Sequence, residues 1–409
     1  MYNPFIDLTR NGRLVIVTMA LRSLDYSFFA VFLGIHLNKL ALSELQVGIV
    51  ISSVMLGSAL SNLMIVLNNG RWSLRLLLVV LSIFMILGGL LYSQASSVHT
   101  FVLAGLIGFT SSSGGDNSGF QSAEIVILTE SVEPSKYTSM MSLYNYVGYI
   151  GKLAGAAIVS APSVIATWFG VTESESARYA FLIYSFVALG ILLFYALLTN
   201  VEKRPTEKFA FSKKARHDFE DRLIYKLAGL FSIDSFGGGL ITHSFIAYWL
   251  SSRFGFGYGS LSILFFIIIG LNGLSIISAV PLSRKFGLVN TIAYSQIAAN
   301  VCVVFMVLSN QIYLVMTCLL LRGLLNEIDV PPRQALILRS VRPERRSHAT
   351  ALTSLGRNVG QIISPLLSGP AASFISTGTP MLVGAMVKFC YNGGLLLMFR
   401  GLARSFSRE

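Results

Sequence analysis

The sequence predicts an all-α membrane protein of twelve transmembrane helices, arranged as two pseudo-symmetric six-helix bundles with both termini cytoplasmic. Three observations carry that expectation. The 409-residue chain is 54% hydrophobic and only 12% charged, with a mean hydropathy of +0.68, where a soluble domain holds about 25% charged residues. Apolar runs long enough to span a bilayer, at ~20 residues each, recur along its whole length. The longest polar stretch, 200 to 222, falls midway and separates six runs from six.

In the first half the runs lie near 14 to 38, 45 to 67, 74 to 95, 100 to 131, 139 to 163 and 178 to 199. The first follows the polar segment MYNPFIDLTRNGR and contains Arg22 and Asp25, so it reads as a retained span and not a cleaved signal. Basic residues Arg71 and Arg75 separate the second from the third. The fourth is interrupted by GFTSSSGGDNSG (108 to 119), and the fifth, with GYIGKLAGAAIVSAP (148 to 162), is rich in small residues and carries Lys152. In the second half the runs lie near 223 to 250, 259 to 282, 290 to 309, 312 to 340, 347 to 372 and 378 to 400. The seventh carries Asp234, the tenth is interrupted at LNEIDVPP (325 to 332), the eleventh carries Arg357 and the twelfth Lys388. Domains are therefore expected at 1–199 and 223–409, joined by a cytoplasmic linker at 200–222.

Lysine and arginine concentrate in alternate loops, while the others keep only Lys39, Arg178 and Arg253. By the positive-inside rule this bias puts the termini and the linker in the cytoplasm of a multi-pass cell-membrane protein. Cys302, Cys318 and Cys390 all fall inside spans, so no disulfide framework is implied. No Walker-type phosphate loop, HExxH, CxxC or GxSxG stands in the sequence, which speaks against an enzyme or an ATP-driven pump.

The two halves repeat. SVEPSKYTSMMSLYNYVG begins at Ser131 and SVRPERRSHATALTSLGRNVG at Ser340; the same offset of 209 takes LDYSFFAVF at Leu24 to IDSFGGGLI at Ile233, so that Asp25 falls on Asp234. Glu124 falls likewise on Arg333. With these repeats, and with the segments PLSRKFGLVNT (281 to 291), LLLRGLLNEIDVPPRQA (319 to 335) and SGFQSAEIVILTESVEPSKYTS (118 to 139), the chain resembles the major facilitator superfamily, in particular its prokaryotic multidrug-type twelve-helix members. The resemblance implies a secondary transporter working by alternating access, with a small-molecule substrate, protons as the coupling ion, the lipid bilayer as its surroundings, no cofactor, no nucleic acid and a monomeric state. Two family features are altered. The loop signature VLNNGRWSLR has Gly70 and its second copy AVPLSRKFG has Ser283 where an acid belongs, and Ser113 stands where Arg322 has its counterpart in the first half.

Buried ionisable residues are the candidate site, because a charge at mid-bilayer costs ~3 kcal/mol or more. Asp234 is expected to be the proton-coupling carboxylate, since Phe231 leaves it without a base on its own helix. Asp25, three residues after Arg22 on one helical face, is expected to pair with that arginine or face the substrate, and it is the second coupling candidate. Glu124 and Arg333 are expected to gate the inner side as a bridge between halves, unless each finds a partner at home: Lys152 for Glu124, Glu327 or Asp329 for Arg333. Arg71, Arg75, Arg284 and Lys285 are the remaining gating candidates. Arg22, Asp25, Glu124, Lys152, Arg333 and Arg357 are expected to meet substrate, with Tyr144 and Phe236 in an aromatic wall. His36 and His243 lie too far along their helices from Asp25 and Asp234 to share a metal, and no metal site is expected. The function most consistent with these features is proton-coupled export of small lipophilic or cationic molecules. A facilitator or importer of a small organic anion, using Arg22, Lys152 and Arg357, and a transport-inactive membrane sensor are the alternatives.

Overall fold

The computed structural model describes residues 8–68, 71–115, 118–133, 136–199, 219–341, 352–361 and 378–399, with 349, 363 and 364. The described chain is helical throughout, and eight of its helices are long and apolar enough to cross a membrane. In order they are α1 (Arg10–Lys39), α2 (Glu44–Asn68), α3 (Leu74–Ser93), α4 (Val98–Ile107), α5 (Gly119–Glu130), α6 (Tyr137–Ile158), α7 (Ala161–Phe169), α8 (Glu173–Ala196), α9 (Phe219–Gly239), α10 (His243–Phe254), α11 (Tyr258–Phe286), α12 (Leu288–Leu308), α13 (Ile312–Leu325), α14 (Val330–Arg339), a helical stretch at 352–361, and α15 (Thr379–Phe399). Most of the expected linker and much of the expected eleventh span lie outside the described residues.

Contacts divide the chain into two units, one of residues 1–209 with 242–266, the other of 210–241 with 267–409. In the first unit α1 is the central element. Its outer part is a ring cluster in which Phe29 meets Tyr92 at 5.0 Å and Tyr184 at 5.5 Å, and Phe32 meets Phe181 at 4.9 Å. In the second unit α9 takes the same place, with Ile224, Leu227 and Phe231 packed among residues of α12, α14 and α15.

Breaks divide four expected spans: the fourth, seventh and tenth, and the fifth, where α6 ends at Ile158 and α7 starts at Ala161. The fourth stops at Gly108 and restarts at Gly119, and between them Phe109 adopts φ +46°, an unusual left-handed conformation for a bulky residue. That strain turns the Phe109 carbonyl to accept from the Tyr26 hydroxyl at 2.9 Å. The tenth stops at Leu325 and restarts at Val330, where Pro331 is tolerated because the first helical N–H groups have no partner within the helix. The seventh also breaks, at 240–242, where the sequence had read one continuous helix. Thr242 caps α10, and the Ser244 hydroxyl and N–H bind the Ser112 carbonyl within the first unit, with the Ala30 carbonyl also accepting from that hydroxyl.

Close helix crossings recur in both units. Gly151 and Gly155 of α6 lie against the Ala20 and Leu24 carbonyls; Gly356 and Gly360 lie in the same way against the Ala228 and Ser232 carbonyls. Small residues four apart let the backbones approach this closely. A Cβ at any of these four glycines would overlap a carbonyl oxygen. Gly155→Leu and Gly360→Leu are therefore each expected to cost about 3 kcal/mol through overpacking, read as a lower Tm in detergent; an unchanged Tm would contradict the crossing.

Candidate functional site

Each unit holds one buried ion pair between its central helix and the short helix after a break. In the first unit α1 presents Arg22, fully buried, and α5 presents Glu124, also fully buried. The pairing is bidentate: Arg22 Nη1 donates to Glu124 Oε1 at 2.8 Å and Nη2 to Oε2 at 2.5 Å. Hydroxyls of Thr18 (2.9 Å), Tyr195 (2.6 Å) and Tyr144 (2.6 Å) complete the carboxylate, and the Arg22 guanidinium stacks 5.1 Å from the Phe120 ring centroid. Charged groups taken out of water are held in this way by good geometry and satisfied lone pairs.

The expectation of an Arg22–Asp25 pair is thereby corrected. The long guanidinium fork reaches across to the carboxylate of α5, where it forms two parallel bonds that Asp25 on the same helix cannot offer as well. Asp25 is only 1% exposed, makes no ion pair among the described residues, and its Oδ2 has no hydrogen-bond partner. It lies within electrostatic reach of Tyr184.

The second unit reverses the polarity. Here α9 supplies the acid, Asp234, and α14 the base, Arg333, at 3.0 Å; Lys388 of α15 stands 3.3 Å from the other carboxylate oxygen. Asp329, at the N-terminal end of α14, holds Arg333 from one turn earlier at 2.9 Å. Gln296 of α12 ties the group together, accepting from Lys388 at 3.0 Å and donating to Asp329 at 2.9 Å. Asp234 has no base on its own helix, but two bases reach it from others. Glu124 and Arg333 each pair at home, Arg333 with Asp329 as one alternative had it and Glu124 with Arg22 where Lys152 had been considered.

The other expected residues are placed as follows. Lys152 is half-buried with its Nζ 4.7 Å from the Tyr149 ring centroid. Tyr144 serves the Arg22–Glu124 pair and not an aromatic wall, and Phe236 is half-buried on α9. Arg357 is half-buried and donates its Nε to the Ser235 hydroxyl at 3.3 Å. Arg71, Arg75, Arg284 and Lys285 are exposed and make no ion pair among the described residues; Arg75 caps the end of α8 through the Ala196 carbonyl at 2.6 Å. His36 packs among the Phe32, Phe101 and Phe181 rings, and among the described residues no three metal-ligating side chains come together. Sequence reading missed Thr18, Tyr195, Gln296 and Tyr391. Lys388 stood out as a basic residue inside a span, without an assigned partner.

Comparison with known proteins agrees with this architecture. A Saccharomyces cerevisiae protein described as the uncharacterized membrane protein YJR124C is 22% identical over 428 residues, covering 95% of this chain and 96% of its own. Among solved structures, the nucleoside transporter NupG superposes with a TM-score of 0.70 at 14% identity, covering 96% of this chain and 100% of that one. A D-xylose-proton symporter gives 0.69 at 13% identity, covering 97% and 98%. The profile of the Major Facilitator Superfamily matches residues 15–365 and 227–402, and the chain, a multi-pass membrane protein with that transporter fold, belongs to this superfamily.

Proposed function

We propose that the protein is a secondary transporter that works by alternating access and takes its driving force from protons bound at Asp25. The observation that carries this reading is the isolation of that carboxylate. Asp234 is neutralised by Arg333 and Lys388, and Glu124 by Arg22, but Asp25 is 1% exposed and makes no ion pair among the described residues. An ionised carboxylate so placed is costly, and a proton removes the cost without needing a coordination shell. Occluding Asp25 then favours the proton-loaded carrier, and its release to water on either side favours loss of the proton, which ties the conformational cycle to the gradient. This logic exchanges the roles expected for the two aspartates. It holds for export and uptake, and for either cargo considered from the sequence, small lipophilic cations or small organic anions.

The test is flux in proteoliposomes of purified protein, with a panel of fluorescent lipophilic cations beside small organic anions. An imposed pH gradient is expected to drive accumulation of at least one member, and an ionophore that collapses the gradient to stop it. Accumulation that continues unchanged after collapse would contradict proton coupling.

A further inference from the structure

In the cluster linked to Asp234, within the second unit, charge does not balance. Apart from the charged residues in the first turns of α9, the described residues of the cluster linked to Asp234 are three carboxylates, Asp234, Asp329 and Glu327, and four cations, Arg322, Arg333, Arg357 and Lys388. The aspartates are already engaged: Asp234 by Arg333 and Lys388, Asp329 by Arg333 and Gln296. Glu327 sits within reach of Arg322 and Arg333. Arg357 is within electrostatic reach of Asp234 and Asp329 but forms an ion pair with neither. It touches only the Ser235 hydroxyl, through Nε, so neither terminal guanidinium nitrogen has a partner among the described residues. A guanidinium inside a membrane protein with unused donors is uncommon, because its fork is suited to planar bidentate partners.

A second donor stands nearby. Tyr391 of α15 is fully buried, its hydroxyl has no hydrogen-bond partner among the described residues, and it lies within electrostatic reach of Arg357 and Arg333. Buried hydroxyls are nearly always bonded, so an orphaned one beside a spare cation marks a place where an acceptor belongs. Like charge from Arg333 adds to the demand for an anion.

We infer that Arg357, with Ser235 and Tyr391, forms a site in the second unit for the anionic group, a carboxylate or phosphate, of the transported molecule. The inference rests on the transporter reading and selects, between its two cargo classes, the organic anion. One excess positive charge fits a single anionic group.

Binding is measured without a gradient and without Asp25, so its failure is separable from failure of proton coupling. Purified protein in detergent is titrated with benzoate, inorganic phosphate, glucose 6-phosphate, short-chain phosphatidylglycerol and tetraphenylphosphonium, and the shift in Tm is followed. At least one soluble anion is expected to raise the Tm of the wild type in a saturable way, with apparent affinity falling about 10- to 100-fold in Arg357→Gln. Tyr391→Phe, which removes no contact of the unliganded protein, is expected to weaken the same anion and keeps the test open if Arg357→Gln does not fold. Stabilisation by tetraphenylphosphonium with none by anions would overturn the inference. So would an anion response unchanged in both variants, and stabilisation by phosphatidylglycerol alone would overturn it by making the site a lipid headgroup contact.

Discussion

Glu124→Ala is expected to destabilise the protein by about 3 to 5 kcal/mol, the cost of leaving a buried charge without its partner. Arg22 is fully buried, and both its terminal nitrogens bond to that one carboxylate. Thr18, Tyr144 and Tyr195 would lose their acceptor in the same step. The expected result is a large fall in Tm, or failure to purify as a single species. Arg22→Met combined with Glu124→Leu is expected to recover most of the loss, because apolar side chains of similar volume carry no desolvation penalty. If Glu124→Ala alone stays within 1 kcal/mol of wild type, the pair is not what holds α5 to α1. Asp234→Ala should cost less, since Arg333 keeps Asp329 and Lys388 keeps Gln296.

Asp25→Asn is expected to behave in the opposite way for stability and to have the largest effect on transport. It removes a charge that no described residue balances, so the Tm should stay level or rise. Asparagine mimics the proton-loaded carboxyl in size and charge but cannot release a proton. The variant should therefore still cross between its two states with substrate bound, while losing its response to the pH gradient. Asp234→Asn should retain gradient-driven transport, weakened to the extent that loosening Arg333 and Lys388 disturbs the second unit.

Much of the architecture was legible in the sequence. The twelfth apolar run, 378 to 400, is α15, Thr379–Phe399, because its ends are set by polarity that the bilayer itself imposes. The interruptions of the fourth and tenth runs were readable from clustered Gly, Ser and Pro. The break at 240–242 was not, since Leu240 and Ile241 keep the run apolar through it and only Thr242 betrays the restart. The loop between α11 and α12 was expected at 281 to 291, yet α11 continues through Pro281 to Phe286 and only Gly287, at φ +82°, separates the two helices.

The site was half legible. Every charged member of the two ion pairs, Arg22, Glu124, Asp234 and Arg333, was singled out because charge inside a span is rare. Their partners were assigned by neighbourhood along the chain, which favoured Arg22 with Asp25. Actual partners come from other helices: Tyr195 is 71 residues from Glu124, and Lys388 is 92 from Gln296, separations that leave no periodic trace.

The central claim is that Asp25 carries the coupling proton. Its most direct test compares gradient-driven accumulation with equilibrium counterflow, in proteoliposomes of wild type and of Asp25→Asn, for whichever panel compound the wild type accumulates. The account predicts that the variant keeps counterflow and loses accumulation against a gradient. Accumulation retained in Asp25→Asn and lost in Asp234→Asn would contradict it, and would return the coupling site to α9.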